Sequence, residues 1–146
     1  VRDQGFGADA PITHTVADLL TRHHARGEIV FVRPNDTVLT AYKRMRLADV
    51  SQLPVLEEPA RAVGILTEVA LLNALMALPA GQTPAALRVQ DVMEKAFATL
   101  PLDTPVADAA RLMQAHAALI VTDNGDFAGV VTRIDVINRQ IQERSR

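Results

Sequence analysis

A hydroxyl and a carboxylate lie three positions apart near the end of the chain, at Thr132 and Asp135. They belong to residues 129–137, GVVTRIDVI, which predict a strand that runs into the first turn of a helix. At this junction the pair could hold a ligand with two neighbouring hydroxyl groups, because a charged acceptor forms the stronger hydrogen bonds. The simpler interpretation is that both residues only cap the helix, as threonine and aspartate often do.

An earlier segment, residues 64–72, repeats this pattern incompletely. Its sequence, GILTEVALL, keeps the glycine and Thr67 but has Ala70 in place of the aspartate. Losing a carboxylate that binds a ligand costs about 1.5–3 kcal/mol, or at least about tenfold in affinity. The sequence therefore predicts one working site and one empty or weak site.

The repeat extends over the surrounding elements. Thr132 follows Thr67 by 65 residues, whereas Met113 follows Met45 by 68, so the second copy lacks three residues opposite residues 49–51. In the first copy, hydrophobic spacing predicts a short helix at residues 16–20, strands at 28–32, 53–56 and 62–66, and a helix at 68–78. It also predicts a helix through Val38 that is capped by Asn35 or Asp36.

The second copy restarts the same order. A short helix at residues 89–93 precedes strands at 97–100, 119–121 and 127–132, with a helix through Met113 between the first two. The sequence DNGD at residues 123–126 predicts a tight hairpin, and residues 133–144 predict a closing helix. Two β-α-β-β-α units of this length predict a pseudo-symmetric α/β (α+β) pair that buries one face of each unit against the other.

Composition excludes several classes of function. The 146 residues include no cysteine, so disulfides, thiolate nucleophiles and thiolate metal sites are ruled out. A net charge of −2 and 3% aromatic residues argue against nucleic-acid binding. No apolar run reaches the roughly 20 residues that a membrane span needs. We therefore expect a cytoplasmic protein with neither a nucleic-acid nor a membrane partner.

The remaining polar residues give no independent case for catalysis or for a metal. His23 and His24 are adjacent and cannot share one face of a helix, while His14 and His116 have no metal-ligand neighbours in sequence. No nucleophile with a base, and no pair of carboxylates, stands at catalytic spacing. The sequence predicts no catalytic residue, no metal and no cofactor in this chain.

Taken together, the two copies resemble a tandem pair of CBS domains, regulatory modules named after cystathionine β-synthase. The resemblance rests on residues 36–56 and GILTEVALL in the first copy, and on VQDVM, DTPVADAARLM and GVVTRIDVI in the second. It implies two β-α-β-β-α modules packed as a pseudo-two-fold pair. The implied boundaries are a linker at residues 1–14, a first module at 15–78, a link at 79–84 and a second module at 85–146.

The resemblance also implies a binding site. In that family an adenosyl ligand lies in a cleft built from both modules, where the aspartate accepts hydrogen bonds from the ribose and the threonine faces ribose or phosphate. The complete cleft would be formed by Thr132, Asp135, Val130, Ile29, Val50, Ser51 and Gln52. A weaker second cleft would be formed by Thr67, Ala117, Ala118 and Leu119.

A narrower resemblance concerns the C-terminal regulatory region of bacterial cystathionine β-synthase. It rests on DQGF at residues 3–6, on extra residues around 22–26, and on the stretches RLADVSQLPVLE and HAALIV. It implies that the chain, which opens with Val1, is the regulatory part of a pyridoxal-phosphate-dependent enzyme, linked through residues 1–14 to a missing catalytic domain. S-adenosylmethionine is the ligand implied.

Two alternatives follow from the wider family. AMP, ADP or ATP could occupy the cleft, with Arg133 reaching a phosphate, although on that helix an arginine is more often simply exposed. The pair could also serve as a ligand-free homodimerisation module, since CBS pairs commonly associate through their helices.

Overall fold

The structure is a computed structural model and describes residues 14–25, 30–58 and 60–145. The predicted linker, apart from His14, lies outside these ranges, and so does the predicted cleft residue Ile29. The first half of the chain forms helices α1 (Val16–Ala25) and α2 (Val38–Ala48), strands β1 (Gln52–Glu57) and β2 (Arg61–Thr67), and helix α3 (Glu68–Met76). A single 3-10 turn at Pro84–Ala86 connects it to the second half.

The second half repeats this order. It comprises α4 (Val89–Val92), β3 (Thr99–Pro101), α5 (Val106–Leu112), β4 (Ala118–Asp123), β5 (Asp126–Thr132) and α6 (Arg133–Arg144). Strands β1 and β2 pair antiparallel, and β4 pairs parallel with β3 and antiparallel with β5. These small sheets with packed helices confirm the predicted α+β pair. The predicted hairpin is also present, since Asn124 (φ 53°) and Gly125 (φ 88°) both have the positive φ that a two-residue turn of this kind requires.

Two local predictions in the first half are wrong. Residues 30–32 form no strand, because the chain turns at Pro34 and only Val32 pairs with Val55, in an isolated parallel bridge. The cap of α2 is Thr37, whose hydroxyl accepts from the Thr40 amide at 3.1 Å. Asp36 is not available for this role, since its carboxylate closes the preceding turn by accepting from the Arg33 amide at 2.8 Å.

The first helix of each half, α1 or α4, packs in the hydrophobic core of the other half. Val16, Leu19 and Leu20 of α1 are buried against α5, β4 and β5 of the second half. Conversely, Val89 of α4 is buried in the core formed by α2, β1 and β2. The backbone repeats this exchange, because the Val16 amide donates to the Thr104 carbonyl and the Val89 amide donates to the Asp36 carbonyl, both at 2.9 Å. Each packed unit is therefore completed by a helix that comes from the other half of the sequence.

The repeated glycines lie where these exchanged helices touch the sheets. A Cβ atom added to Gly129 would lie 2.7 Å from Cδ2 of Leu20, and one added to Gly64 would lie 2.6 Å from Sδ of Met93. Real Cβ atoms essentially never approach a neighbour this closely. Gly64 and Gly129 thus allow a helix from the other half of the sequence to pack directly on their strands.

The two halves meet through β2, β4 and β5. Ile65, Ala118 and Ile120 are buried together at this junction, with Phe127 packed against them. The Phe127 amide also donates to the Ala60 carbonyl at 2.8 Å. This junction separates two clefts, each of which takes residues from both halves.

His14 joins the start of α1 to the last turns of α6. Its Nε2 lies 3.0 Å from the Glu143 carboxylate, and its Nδ1 lies 2.7 Å from the Arg139 guanidinium and 3.5 Å from the Asp18 carboxylate. A ring with its proton on Nε2 can donate to Glu143 and accept from Arg139 at once. Sequence spacing does not reveal these neighbours, because His14 and α6 are more than 100 residues apart.

We expect His14→Ala to lower the free energy of unfolding by about 1–3 kcal/mol, since it removes the partner of a guanidinium whose buried Nε already has no hydrogen bond. Urea unfolding measures the change. His14→Gln, which keeps one donor and one acceptor, is expected to lose less. Equal stability of the alanine variant and the wild type would show that this cluster does not hold α6.

Candidate functional site

The first cleft has a volume of about 570 Å³ and opens between the end of α2 and the start of α6. Six of the seven residues predicted for it line its walls, and the seventh, Ile29, is outside the described part of the chain. These six are Val50, Ser51, Gln52, Val130, Thr132 and Asp135. The structure thus brings together, across a single cleft, segments that lie some eighty residues apart in the sequence.

Thr132 and Asp135 form one wall at the beginning of α6. The Asp135 carboxylate accepts from the Thr132 amide at 2.9 Å and from the Thr132 hydroxyl at 3.0 Å, and the two residues form a capping box. Thr132 and Asp135 therefore do cap the helix, as the simpler interpretation of the sequence predicted. The same two residues also line the cleft, where a ligand can contact them.

The opposite wall is the turn that follows α2. Asp49 has left-handed backbone angles (φ 55°, ψ 51°), and the Val50 amide donates back to the Met45 carbonyl at 3.1 Å. The helix therefore stops sharply, and the chain reverses at Ser51 before β1 begins at Gln52. The Ser51 hydroxyl donates to the Gln52 side-chain oxygen at 2.8 Å, which orients both residues at the cleft wall.

Several lining residues were not predicted from the sequence. They are Leu20, Val30, Ala48, Asp49, Leu53, Pro54, Phe127, Ala128, Gly129, Ile134 and Asn138, together with Ala117, which was assigned to the second cleft alone. Helix spacing could have identified Asn138, since it lies three and four positions after Asp135 and Ile134 on the same face of α6. Leu20 could not be found in this way, because its position depends on the exchange of α1.

Arg133 lies at the edge of the first cleft. Its Nε donates to the Met113 carbonyl at 2.8 Å, so the side chain is tied to the end of α5. The residue as a whole is exposed, although the hydrogen bond of its guanidinium is partly buried. It can face a ligand only with the nitrogens that do not hold this carbonyl.

The second cleft is smaller, about 380 Å³, and is lined by Thr67, Ala117 and Ala118 as predicted. Leu119 does not line it and lies fully buried in the second core. The physical reason is the alternation of a strand, in which neighbouring side chains point to opposite faces, so that Ala118 and Leu119 cannot both face the cleft.

A carboxylate that sequence reasoning missed occupies the second cleft. The Thr67 hydroxyl donates to Glu94 at 2.7 Å and accepts from the Ala70 amide at 3.1 Å. Glu68 lines the same cleft, as does His116. The threonine is thus already engaged by an acidic side chain, in addition to lacking an aspartate three positions later.

Within residues 14–25, 30–58 and 60–145, no three or more histidine, aspartate or glutamate side chains converge in a way that could hold a metal ion. None of the helices there is both long and apolar enough to cross a lipid bilayer.

Comparison with known proteins decides the family. A family model of the CBS domain matches residues 15–77 and again residues 89–141. The chain belongs to the CBS-domain family. The tandem CBS pair predicted from the two copies of the repeat is thereby confirmed.

Relatives of this CBS pair differ in total length. An uncharacterised protein of Methanopyrus kandleri is 27% identical over 116 residues, which are 77% of this chain and 58% of that protein. Cystathionine beta-synthase of Dictyostelium discoideum is 24% identical over 80% of this chain, and the match spans 24% of the enzyme. The chain thus covers less than two thirds of either protein.

Solved structures match nearly the whole CBS pair. The crystal structure of CBSX2 in complex with AMP is 28% identical, with a TM-score of 0.73 over 90% of this chain and 98% of that one. A crystal structure of CBSX2 from Arabidopsis thaliana, a CBS-pair protein, gives 26% identity and a TM-score of 0.75 over 91% and 98% of the two chains.

Proposed function

We propose that this CBS pair is a regulatory module that binds one adenosyl ligand in its first cleft and controls a catalytic domain. The observation that carries the proposal is the position of Thr132 and Asp135, which face the turn of Val50 and Ser51 across one cleft. A carboxylate beside a hydroxyl suits the neighbouring hydroxyls of a ribose. The apolar side chains of Val50 and Val130 suit the flat faces of an adenine.

The identity of the ligand is the finer part of this proposal. The AMP complex of CBSX2 supports an adenine nucleotide. S-adenosylmethionine is instead the ligand that the resemblance to the regulatory region of cystathionine β-synthase implies. Arg133→Ala separates the two, because a nucleotide would lose a partner for its phosphate and S-adenosylmethionine would not. We favour S-adenosylmethionine and a pyridoxal-phosphate-dependent β-synthase as the controlled enzyme, joined to the first module (residues 15–78) through residues 1–14.

Regulation would act through the junction between the modules, residues 15–78 and 85–146. A ligand in the first cleft touches both, and it favours whichever arrangement of β2 and β5 it binds more tightly. Ser51, Gln52 and Ala117 line both clefts, so a change in the first cleft would alter the walls of the second.

A single binding site per chain is the expected stoichiometry. The second cleft lacks the aspartate, and the engagement of Thr67 by Glu94 opposes an anionic ligand there. Isothermal titration with S-adenosylmethionine, AMP, ADP and ATP in turn should give one site for the ligand that binds. Two sites of comparable affinity would contradict the assignment of the second cleft.

Thermal unfolding gives an independent measurement of the same binding. A ligand that binds only the folded state adds about 2.7 kcal/mol at 100 times its dissociation constant. We expect the unfolding temperature to rise with an adenosyl compound and to stay constant with guanosine. No shift with any of the adenosyl compounds would contradict the proposed function.

A second candidate function is homodimerisation without a ligand. Helix α3 exposes Val69, Leu72 and Met76, and α6 exposes Ile134, Ile137 and Ile141. Both sets have the spacing i, i+3, i+7, which forms one apolar stripe along a helix. A stable dimer in solution that binds none of the adenosyl compounds would favour this reading. The cytoplasmic location stays a prediction, supported by a cysteine-free sequence that fits a reducing compartment.

A further inference from the structure

Asp49 occupies a backbone position that suits glycine. It ends α2 with φ 55° and ψ 51°, the left-handed conformation in which a side chain is strained and glycine is not. Within the described ranges, the only other non-glycine residue with positive φ is Asn124, where the hairpin turn demands it. An aspartate tolerates this conformation better than most residues, but it still costs stability.

The charge of Asp49 is also unfavourable where it stands. The last carbonyls of a helix carry partial negative charge, so a carboxylate at this end is repelled. Arg46 does not compensate it, because this guanidinium donates to the Tyr42 hydroxyl at 3.1 Å and lies over the Tyr42 ring. Among the described residues, the Asp49 carboxylate has no hydrogen bond and no ion pair, and the residue is exposed. Only its backbone amide is engaged, since it donates to the Arg46 carbonyl at 3.3 Å.

Asp49 also lines the first cleft, as does Asp135. Among the described residues that line it, only Asp49, Arg133 and Asp135 are charged, so this part of the wall carries one more negative than positive charge. Arg133 is partly committed to the Met113 carbonyl. The positive end of α6 is partly offset as well, because the Asp135 carboxylate lies in its first turn and accepts from the amide of the capping residue, Thr132.

We propose that Asp49 binds the positively charged end of an adenosyl ligand, so that the first cleft selects a cationic adenosyl compound over an adenine nucleotide. The proposal rests on the proposed function, since it assumes that the adenosyl group lies between Asp135 and Val50. Asp49 costs stability through its left-handed backbone and through its negative charge at the end of α2, and no contact of its carboxylate with the described residues offsets this cost. Such a conflict with local stability is expected at functional positions. A sulfonium or ammonium group would give this carboxylate its missing partner, whereas a phosphate would be repelled by it.

The experiment compares three probes by isothermal titration. S-adenosylmethionine is cationic, AMP is anionic and adenosine has no charge. The wild type should bind S-adenosylmethionine more tightly than AMP. Asp49→Asn should weaken S-adenosylmethionine by about tenfold, the loss of one charge-assisted contact, while AMP gains affinity and adenosine is unchanged.

Two further variants keep the result interpretable. Asp103→Asn removes an exposed carboxylate outside both clefts and should change none of the three affinities. Asp49→Gly removes the strain together with the charge, so it should unfold at a higher temperature than the wild type while showing the same altered preference as Asp49→Asn. A folded variant with the cleft charge removed is thus available even if the asparagine variant is unstable.

The outcomes separate the two proposals. If adenosine, AMP and S-adenosylmethionine all fail to bind the wild type, the proposed function is wrong. If adenosine binds but Asp49→Asn leaves the ratio of the other two affinities unchanged, the role of Asp49 is wrong and the adenosyl site stands. A wild type that prefers AMP over S-adenosylmethionine also overturns the role of Asp49.

Discussion

Asp135→Ala should weaken the binding of the adenosyl ligand at least about tenfold, and more than any other single change in the first cleft. The carboxylate is the proposed acceptor for the ribose hydroxyls, and alanine offers no acceptor in its place. The change should also destabilise the free protein by about 1 kcal/mol, because it removes the capping box at the start of α6. Isothermal titration measures the first effect and urea unfolding the second.

The two effects can be separated by a second variant. Asp135→Asn keeps an oxygen that can accept from the Thr132 amide, so most of the cap survives, but it loses the charge that strengthens a bond to ribose. We expect this variant to be nearly as stable as the wild type and still to bind weakly. If both variants lose stability and neither loses affinity, then Asp135 is a capping residue only.

Helix α3, the counterpart of α6 in the first half, shows that capping of such a helix does not require an acidic residue. Helix α3 is capped by Thr67, whose hydroxyl accepts from the Ala70 amide at 3.1 Å, and the third residue of the helix, Ala70, has no carboxylate. The helix still forms, because a threonine cap satisfies one of its free amides. The presence of Asp135 in one copy alone is therefore better explained by the cleft than by helix stability.

Local features were predictable from the sequence because their causes are local. The junction of β5 with α6 was predicted from Thr132 and Asp135, and the hairpin from the asparagine and glycine at its turn. A strand followed by a capped helix needs only neighbouring residues to specify it. The cleft residues at 50–52 were reached only through the resemblance to CBS pairs, since nothing in their own sequence indicates a ligand.

What could not be predicted depends on distant contacts. Nothing near Thr67 shows that Glu94 will accept its hydrogen bond, because 27 residues separate them. The error over Leu119 differs in kind, since the alternation of strand residues was sufficient to show that it and Ala118 face opposite sides. The packing of α1 against the second half could not be predicted, because an amphipathic pattern shows only that one face of a helix is buried. It does not show which sheet covers that face.

The packing of α1 against the second half gives the second large prediction. Leu20→Ala should lower the free energy of unfolding by about 2–5 kcal/mol, because the side chain is 1% exposed and its loss leaves a cavity between α1 and the second core. Leu47→Ala is the matched control, since Leu47 lies on α2 with 89% of its surface exposed and should change stability little. Urea unfolding measures both. A loss at Leu20 no larger than that at Leu47 would contradict the packing of α1.

A double variant tests the contact itself. Gly129→Ala alone should cost about 1–3 kcal/mol, because the new methyl group would overlap Cδ2 of Leu20. In the Leu20→Ala background the space is open, so the same change should cost much less, and the two losses should not add. Strict additivity would show that α1 and β5 do not touch. Non-additivity would show that α1 packs on β5, the strand that leads into Thr132 and Asp135. A displacement of α1 would then change the first cleft directly, because Leu20 and Gly129 both line it.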